Sequence, residues 1–203
     1  MRIRSLAIAA ALAATTFVSG CVSGLLDMPN YSSFSDAGYQ IPAIPITKVP
    51  QQFRRTTVVY PTDEAPGTII VDTGEKHLYF ILPDGMAIRY GIGVGREGFE
   101  WQGTAHIALK REWPVWTPPA PMIKRRPDLA EWRNGMPPGP QNALGARAMY
   151  LFNKHGDMGY RLHGTPEWWS IGKAMSSGCM RLLNQDIIDL YDRTEVGAKV
   201  IVR

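Results

Sequence analysis

Residues 163–182 read HGTPEWWSIGKAMSSGCMRL and hold Cys179, the single cysteine beyond position 21. The run before it, YRLHG (160–164), is a strand pattern that ends on a His-Gly pair. The excursion from His163 to Cys179 is long enough to loop out and return, so the two side chains are expected to meet across adjacent strands. A thiolate is the reactive form of cysteine and needs a nearby base or a lowered pKa. His163 is the candidate base and Cys179 the candidate nucleophile. Gly164 lets the chain turn after the histidine. Gly178 lets the backbone approach a substrate carbonyl, with N–H groups near Cys179 free to hold an oxyanion. Ser176 and Ser177 complete the loop. For Arg181, two residues on, two readings stand: a bidentate grip on a substrate carboxylate, or a brace for the loop. The bland reading of Cys179 is a small buried hydrophobe.

Outward from this stretch the chain is rich in short β patterns. They are TTVVY (56–60), GTIIVDTGEKHLYFIL (67–82, with a hairpin at DTGEK), MAIRYGIGVG (86–95), TAHIALK (104–110), ARAMYLF (146–152) and VGAKVIVR (196–203). REWPVWTPPAPMIKRRP (111–127) has too many prolines for regular structure and is expected to be a long ordered loop. NQDIIDLYDRT (184–194) spaces its apolar residues as a helix with Asn184 as N-cap. Twenty glycines and 16 prolines agree with many turns. The expected fold is mostly β, a sandwich or partly open barrel with one short C-terminal helix.

The N-terminus reads as a targeting segment. Arg2 and Arg4 precede an apolar run, Leu6–Val18, and small residues follow. This is the order of a secretory signal peptide, the alternative being a buried N-terminal helix. VSGC (18–21) resembles the lipobox of bacterial lipoproteins, which implies lipidation of Cys21 and a membrane anchor. The alternative is ordinary cleavage near Ala14. By resemblance to enterobacterial lipoprotein sorting, Val22 after the cysteine, in place of aspartate, implies the outer membrane over the inner. The expected organisation is a signal peptide with lipobox (1–21), an extended linker or tether that wraps partly on the domain (22–56) and a catalytic domain (57–203). Export places the domain in the periplasm, an oxidising compartment. With Cys21 lipidated, Cys179 has no disulfide partner.

The block 163–202 resembles the catalytic block of the L,D-transpeptidase (YkuD-domain) family. It has the His-Gly pair, a loop, Ser-x-Gly-Cys, an apolar residue and Arg181, then Asn-x-Asp, Leu-Tyr and a glycine before a final strand. EWPVWTPPAPMI (112–123) and GPQNALGARAMYL (139–151) are similar to that family's substrate-side loop and the strand entering its site. The resemblance covers roughly 57–203. It implies that Cys179 attacks the bond between a diamino acid and D-alanine in a peptidoglycan tetrapeptide stem, with His163 as base and no metal or cofactor. The thioester then passes to an amine of another stem, to an outer-membrane protein or lipoprotein, to water or to a free D-amino acid. The resemblance also implies a backbone carbonyl that orients His163, near Gly164 or Ser177. Many members carry histidine where this chain has Ser177.

Two other function classes stand beside this one: a wall-binding lipoprotein without turnover, and a carboxypeptidase or endopeptidase using the same pair. Trp113, Trp116, Trp168 and Trp169 either line a glycan or stem groove or cap the core. GIGVGREG (91–98) looks like a dinucleotide loop, but no helix pattern or acidic ribose ligand follows, so it reads as strand and turn. His77, His106 and His155 lack metal-ligand spacing. The formal charge of +4 suits acidic partners only weakly, and export argues against nucleic acid, including at KRRP (124–127).

Overall fold

The computed structural model of the chain describes residues 29–97 and 101–203. The expected signal peptide and Cys21 lie outside the described residues. In chain order the strands are β1 (Phe34–Asp36), β2 (Tyr39–Ile41), β3 (Thr56–Val59), β4 (Ile69–Asp72), β5 (His77–Ile81), β6 (Met86–Gly91) and β7 (Val94–Gly95). There follow β8 (Gly103–Glu112), β9 (Arg147–Asn153), β10 (Gly156–Thr165), β11 (Ala174–Ser176), β12 (Met180–Leu183) and β13 (Lys199–Val202). The α-helices are α1 (Ala120–Arg125) and α2 (Asn184–Arg193).

The molecule is mostly β. Nine strands form one mixed sheet in the order β12-β10-β9-β8-β13-β4-β5-β6-β3. Its end strands do not pair with each other, so it is an open sheet and not a closed barrel. The β10–β12 and β13–β4 pairs are parallel, and the rest of this sheet is antiparallel. Alternation sorts the side chains. Ile69, Val71, Leu78, Phe80 and Tyr90 join Ile107, Met149, Leu151 and Leu162 in the main core. Ile70, Tyr79, Ile81 and Ala87 face the other way, in a smaller cluster with Val58 and Tyr60.

α2 begins straight after β12 and lays Ile187 and Leu190 on the main core, beside Leu162, Met180 and Leu182. Asn184 does not cap this helix, because Leu183 occupies the cap position without a side-chain bond. The Asn184 amide is used elsewhere: its Oδ1 accepts the Ala146 N–H at 3.0 Å. The proline-rich segment 111–127 is also more regular than expected. α1 follows Pro119 at its N-cap and carries Pro121 in its first turn, where a proline fits because it lacks the N–H that a helix start leaves unpaired.

The described part of the expected tether, residues 29–56, is seated on the domain. β1 and β2 form a hairpin whose Asp36 takes a bidentate bond from buried Arg147, at 2.7 and 3.0 Å, and another from Trp113 Nε1 at 2.7 Å. Tyr31, Ile44, Ile46 and Phe53 cover Leu183 and Ile171. Arg55 pairs with Asp189 on α2 at 2.9 Å, and the Tyr31 hydroxyl donates to Asp186 at 3.3 Å. In the GIGVG run, Gly91 ends β6, Gly93 bridges to Arg181 and Gly95 ends β7. These glycines belong to strands, not to a strand-to-helix turn.

Candidate active site

β10 and β12 lie side by side, with Leu162 opposite Met180, His163 opposite Arg181 and Thr165 opposite Leu183. Leu162, Met180 and Leu182 point into the main core. Alternation therefore puts Arg161, His163 and Thr165 on the other face, with Arg181 beside His163. Cys179 immediately precedes β12. Extending the register by one residue sets it level with Arg161 and one diagonal step from His163.

The thiol is half-buried and aims at the Gly159 carbonyl, 3.9 Å away. Gly159 lies where the β9–β10 register slips, between Asp157 and Arg161, and its φ is +78°. Such a bulge frees backbone groups from the ladder and often re-aims them at a site. Burial pushes the Cys179 thiol above its ordinary value; the Arg161 backbone N–H and the Arg161 and Arg181 guanidinium charges pull it back. The Arg161 side chain is held by Asp157 at 2.7 and 2.8 Å and lies over the Tyr150 ring at 4.2 Å. Sequence reasoning missed Arg161. Its only signal was its place two residues before the histidine, on the same strand face.

His163 is buried, and its Nδ1 lies 2.6 Å from the Gly164 carbonyl. A carbonyl only accepts, so Nδ1 carries the proton and Nε2 keeps its lone pair. Burial, then the Arg181 charge, push the imidazole down to about 4, against the Gly164 hydrogen bond. At neutral pH the site thus holds a neutral imidazole and a neutral thiol. No Cys179–His163 hydrogen bond forms among the described residues.

Ser176 ties the loop together. Its buried hydroxyl donates to the Cys179 carbonyl at 2.6 Å and accepts the Gly178 N–H at 3.1 Å. Gly178 has φ +110°, a conformation side chains disfavour, and this turns the chain so that Cys179 leads into β12. Ser177 is half-buried, with no side-chain hydrogen bond among the described residues. Gly164 is required by crowding. A Cβ there would collide with Asn184 Oδ1 and sit 3.0 Å from Ile187 Cγ2 and 3.1 Å from the Ala146 nitrogen. Arg181 braces the loop, its Nη1 meeting Glu167 at 2.6 Å while its backbone exchanges both hydrogen bonds with Gly93.

The tryptophans divide. Trp113 is buried on Asp36, and Trp116 pairs its backbone with Met136. Trp168 and Trp169 lie edge to face at 5.8 Å, and Trp169 is 46% exposed.

The L,D-transpeptidase catalytic-domain model, YkuD, matches residues 66–202. The probable L,D-transpeptidase YbiS of Escherichia coli K12 is 32% identical over 168 residues, 76% of this chain and 48% of that protein. The chain spans about half the length of the E. coli K12 relatives it matches, 42% and 48% for two of them. Among solved structures, a probable carnitine operon oxidoreductase (caia) from Brucella melitensis is 46% identical, with a TM-score of 0.53 over 76% of this chain and 96% of that one. L,D-transpeptidase 3 of Mycobacterium tuberculosis, solved with a faropenem-derived adduct, superposes with a TM-score of 0.50 at 16% identity, covering 67% of this chain and 59% of that one.

Proposed function

The chain belongs to the L,D-transpeptidase catalytic-domain (YkuD) family, and from that premise we propose that Cys179 and His163 carry an acyl transfer on peptidoglycan stem peptides. The observation that supports this most is the 2.6 Å contact between His163 Nδ1 and the Gly164 carbonyl, from which the tautomer follows. With Nδ1–H held by the Gly164 carbonyl, Nε2 is left basic on the face that bears Cys179.

Each step then balances. The thiol proton passes to Nε2 as sulfur attacks the carbonyl of the diamino acid. The Gly178 N–H is committed to Ser176, so the loop's oxyanion donor is the N–H of Cys179 itself. Collapse breaks the C–N bond, the imidazolium returns its proton to the departing D-alanine amine, and a thioester remains. An acceptor amine attacks the thioester and gives its proton to Nε2, which passes it to the departing thiolate. Because imidazole and thiol both rest neutral, base catalysis at the moment of attack, rather than a standing ion pair, supplies the nucleophile. The acceptor is another stem or an envelope protein. The same acyl-enzyme reaching water would make the chain a carboxypeptidase. The order of Arg2 and Arg4, the apolar run Leu6–Val18 and VSGC (18–21) supports a site in the periplasm on a lipid anchor at Cys21, with Val22 favouring the outer membrane.

Intact-protein mass spectrometry after exposure to faropenem tests the nucleophile. One covalent adduct on the wild type and none on Cys179→Ala is expected; an adduct on both removes Cys179 from the proposal. Cys21→Ala is expected to release the protein into the soluble periplasmic fraction, and retention on the membrane would refute the anchor.

A further inference from the structure

A cleft of about 490 Å³ opens on the His163 face of β10, beyond Arg181. One wall is residues 41–44 of the N-terminal segment, the other is Trp168 and Trp169, and Gln141 and Gln185 lie between them. Residues 41–44 precede the family match, so one wall of this cleft is outside the shared domain. No basic side chain lines it among the described residues; its polar groups are amides, the Thr165 hydroxyl and the Glu167 carboxylate. The Gln185 amide is fixed in orientation because Nε2 donates to the Pro42 carbonyl at 3.0 Å. Its buried Oε1 has no donor among the described residues.

An exposed indole face with amides around its edge matches one ligand class well. A hexopyranose has an apolar C–H face and a rim of hydroxyl and acetamido groups, so it stacks by its face and hydrogen-bonds by its edge. Distance agrees with this. From Cys179 to Leu183, which is level with Thr165, the strand runs about 13 Å at ~3.3 Å per residue. A donor stem places three residues between its cleaved bond and its sugar, roughly 10–11 Å when extended, plus the lactyl link.

We propose that this cleft is the subsite for the N-acetylated sugar that carries the donor stem, with its ring stacked on Trp169. The inference rests on the function proposed above.

Two measurements test it. The first needs no turnover. A β-1,4-linked disaccharide of N-acetylhexosamines is titrated into Cys179→Ala and followed by NMR of the tryptophan indole N–H signals. Saturable shifts at Trp168 and Trp169 are expected, with affinity lowered about tenfold, near 1.4 kcal/mol, when Trp169→Ala is added. Ala43→Trp, at an exposed position on the opposite wall, is expected to close the cleft and weaken binding likewise. No saturable shift, or equal affinity in all three proteins, overturns the subsite.

The second is the ratio of kcat/KM for acylation by a disaccharide-tetrapeptide and by the free tetrapeptide. A ratio of about ten or more in the wild type, falling to near one in Trp169→Ala, is expected. A wild-type ratio of one, or a ratio unmoved by Trp169→Ala, overturns the proposal. Disaccharide binding without acylation by either donor keeps the subsite and refutes the acyl-transfer reading instead.

Discussion

Arg181 stands directly opposite His163 across the parallel β10–β12 pair, and its charge acts on the imidazole. A cation there disfavours protonation, so with burial it holds His163 near 4 and keeps the base free at mildly acidic pH. The acid limb of the acylation pH profile is expected near pH 4, not near the ordinary histidine value of about 6.5. Arg181→Met removes the charge but not the burial, so the limb moves upward. A pH profile of kcat/KM checks this; a limb that stays or falls contradicts the coupling.

Asp186 is fully buried, and burial pushes its carboxyl up to about 7, only partly countered by Arg55 and the Tyr31 hydroxyl. The folded value lies above the unfolded one. Stability from this group is therefore present below about pH 4 and is lost as pH rises through 7. His163, with its folded value lowered, acts in the opposite sense over part of the same range. Comparing melting temperature against pH in wild type and Asp186→Asn isolates the carboxyl. The variant is expected to gain on the wild type as pH rises from 4 to 8.

Ser176→Ala deletes the donor to the Cys179 carbonyl and the acceptor for the Gly178 N–H together. Two groups in a closed loop lose partners, at about 1–3 kcal/mol. Thermal unfolding is expected to show that loss, and acylation to slow further because the nucleophile's backbone is no longer fixed. Wild-type acylation in a destabilised Ser176→Ala would separate the brace from the chemistry.

Asp36→Ala leaves the buried Arg147 guanidinium without its bidentate partner and strips the acceptor from Trp113. Breaking a buried pair on one side typically costs about 3–5 kcal/mol. Chemical denaturation should show a drop of that order, with Asp36→Asn falling between because an amide oxygen still accepts. A near-neutral Asp36→Ala would mean that the hairpin is not a stabilising part of the domain.

The legible part of this molecule was what repeats locally. Short apolar and β-branched runs marked β3, β4, β5, β6, β9, β10 and β13, alternation marked β8, and the spacing of Ile187 and Leu190 marked α2. Cys179 and His163 stood out by chemistry, and the structure sets His163 on β10 and Cys179 immediately before the neighbouring β12. Partners far apart in sequence left no such mark. Asp36 and Arg147 are 111 residues apart, and Tyr31 and Asp186 are 155. The proline-rich run suggested a tether lying partly on the domain, but nothing local named the residues that clasp it. Asn184 sits at a position and of a type that suits an N-cap, yet its amide serves the Ala146 N–H instead. Arg161 was hidden for a subtler reason. The bulge at Gly159 governs what faces the thiol, and a bulge is a property of two strands in register, not of one.

The place of β13 in the sheet has a consequence for how the chain becomes a sheet at all. Lys199–Val202 lie between β8 and β4, with Val200 facing both Ala105 and Ile69. Until these residues leave the ribosome, β3–β6 and β8–β12 have no ladder between them within this sheet, so the early chain is two partial sheets with bare inner edges. Closing them requires pairing across most of the sequence, which is slow and leaves those edges open to foreign strands in the meantime.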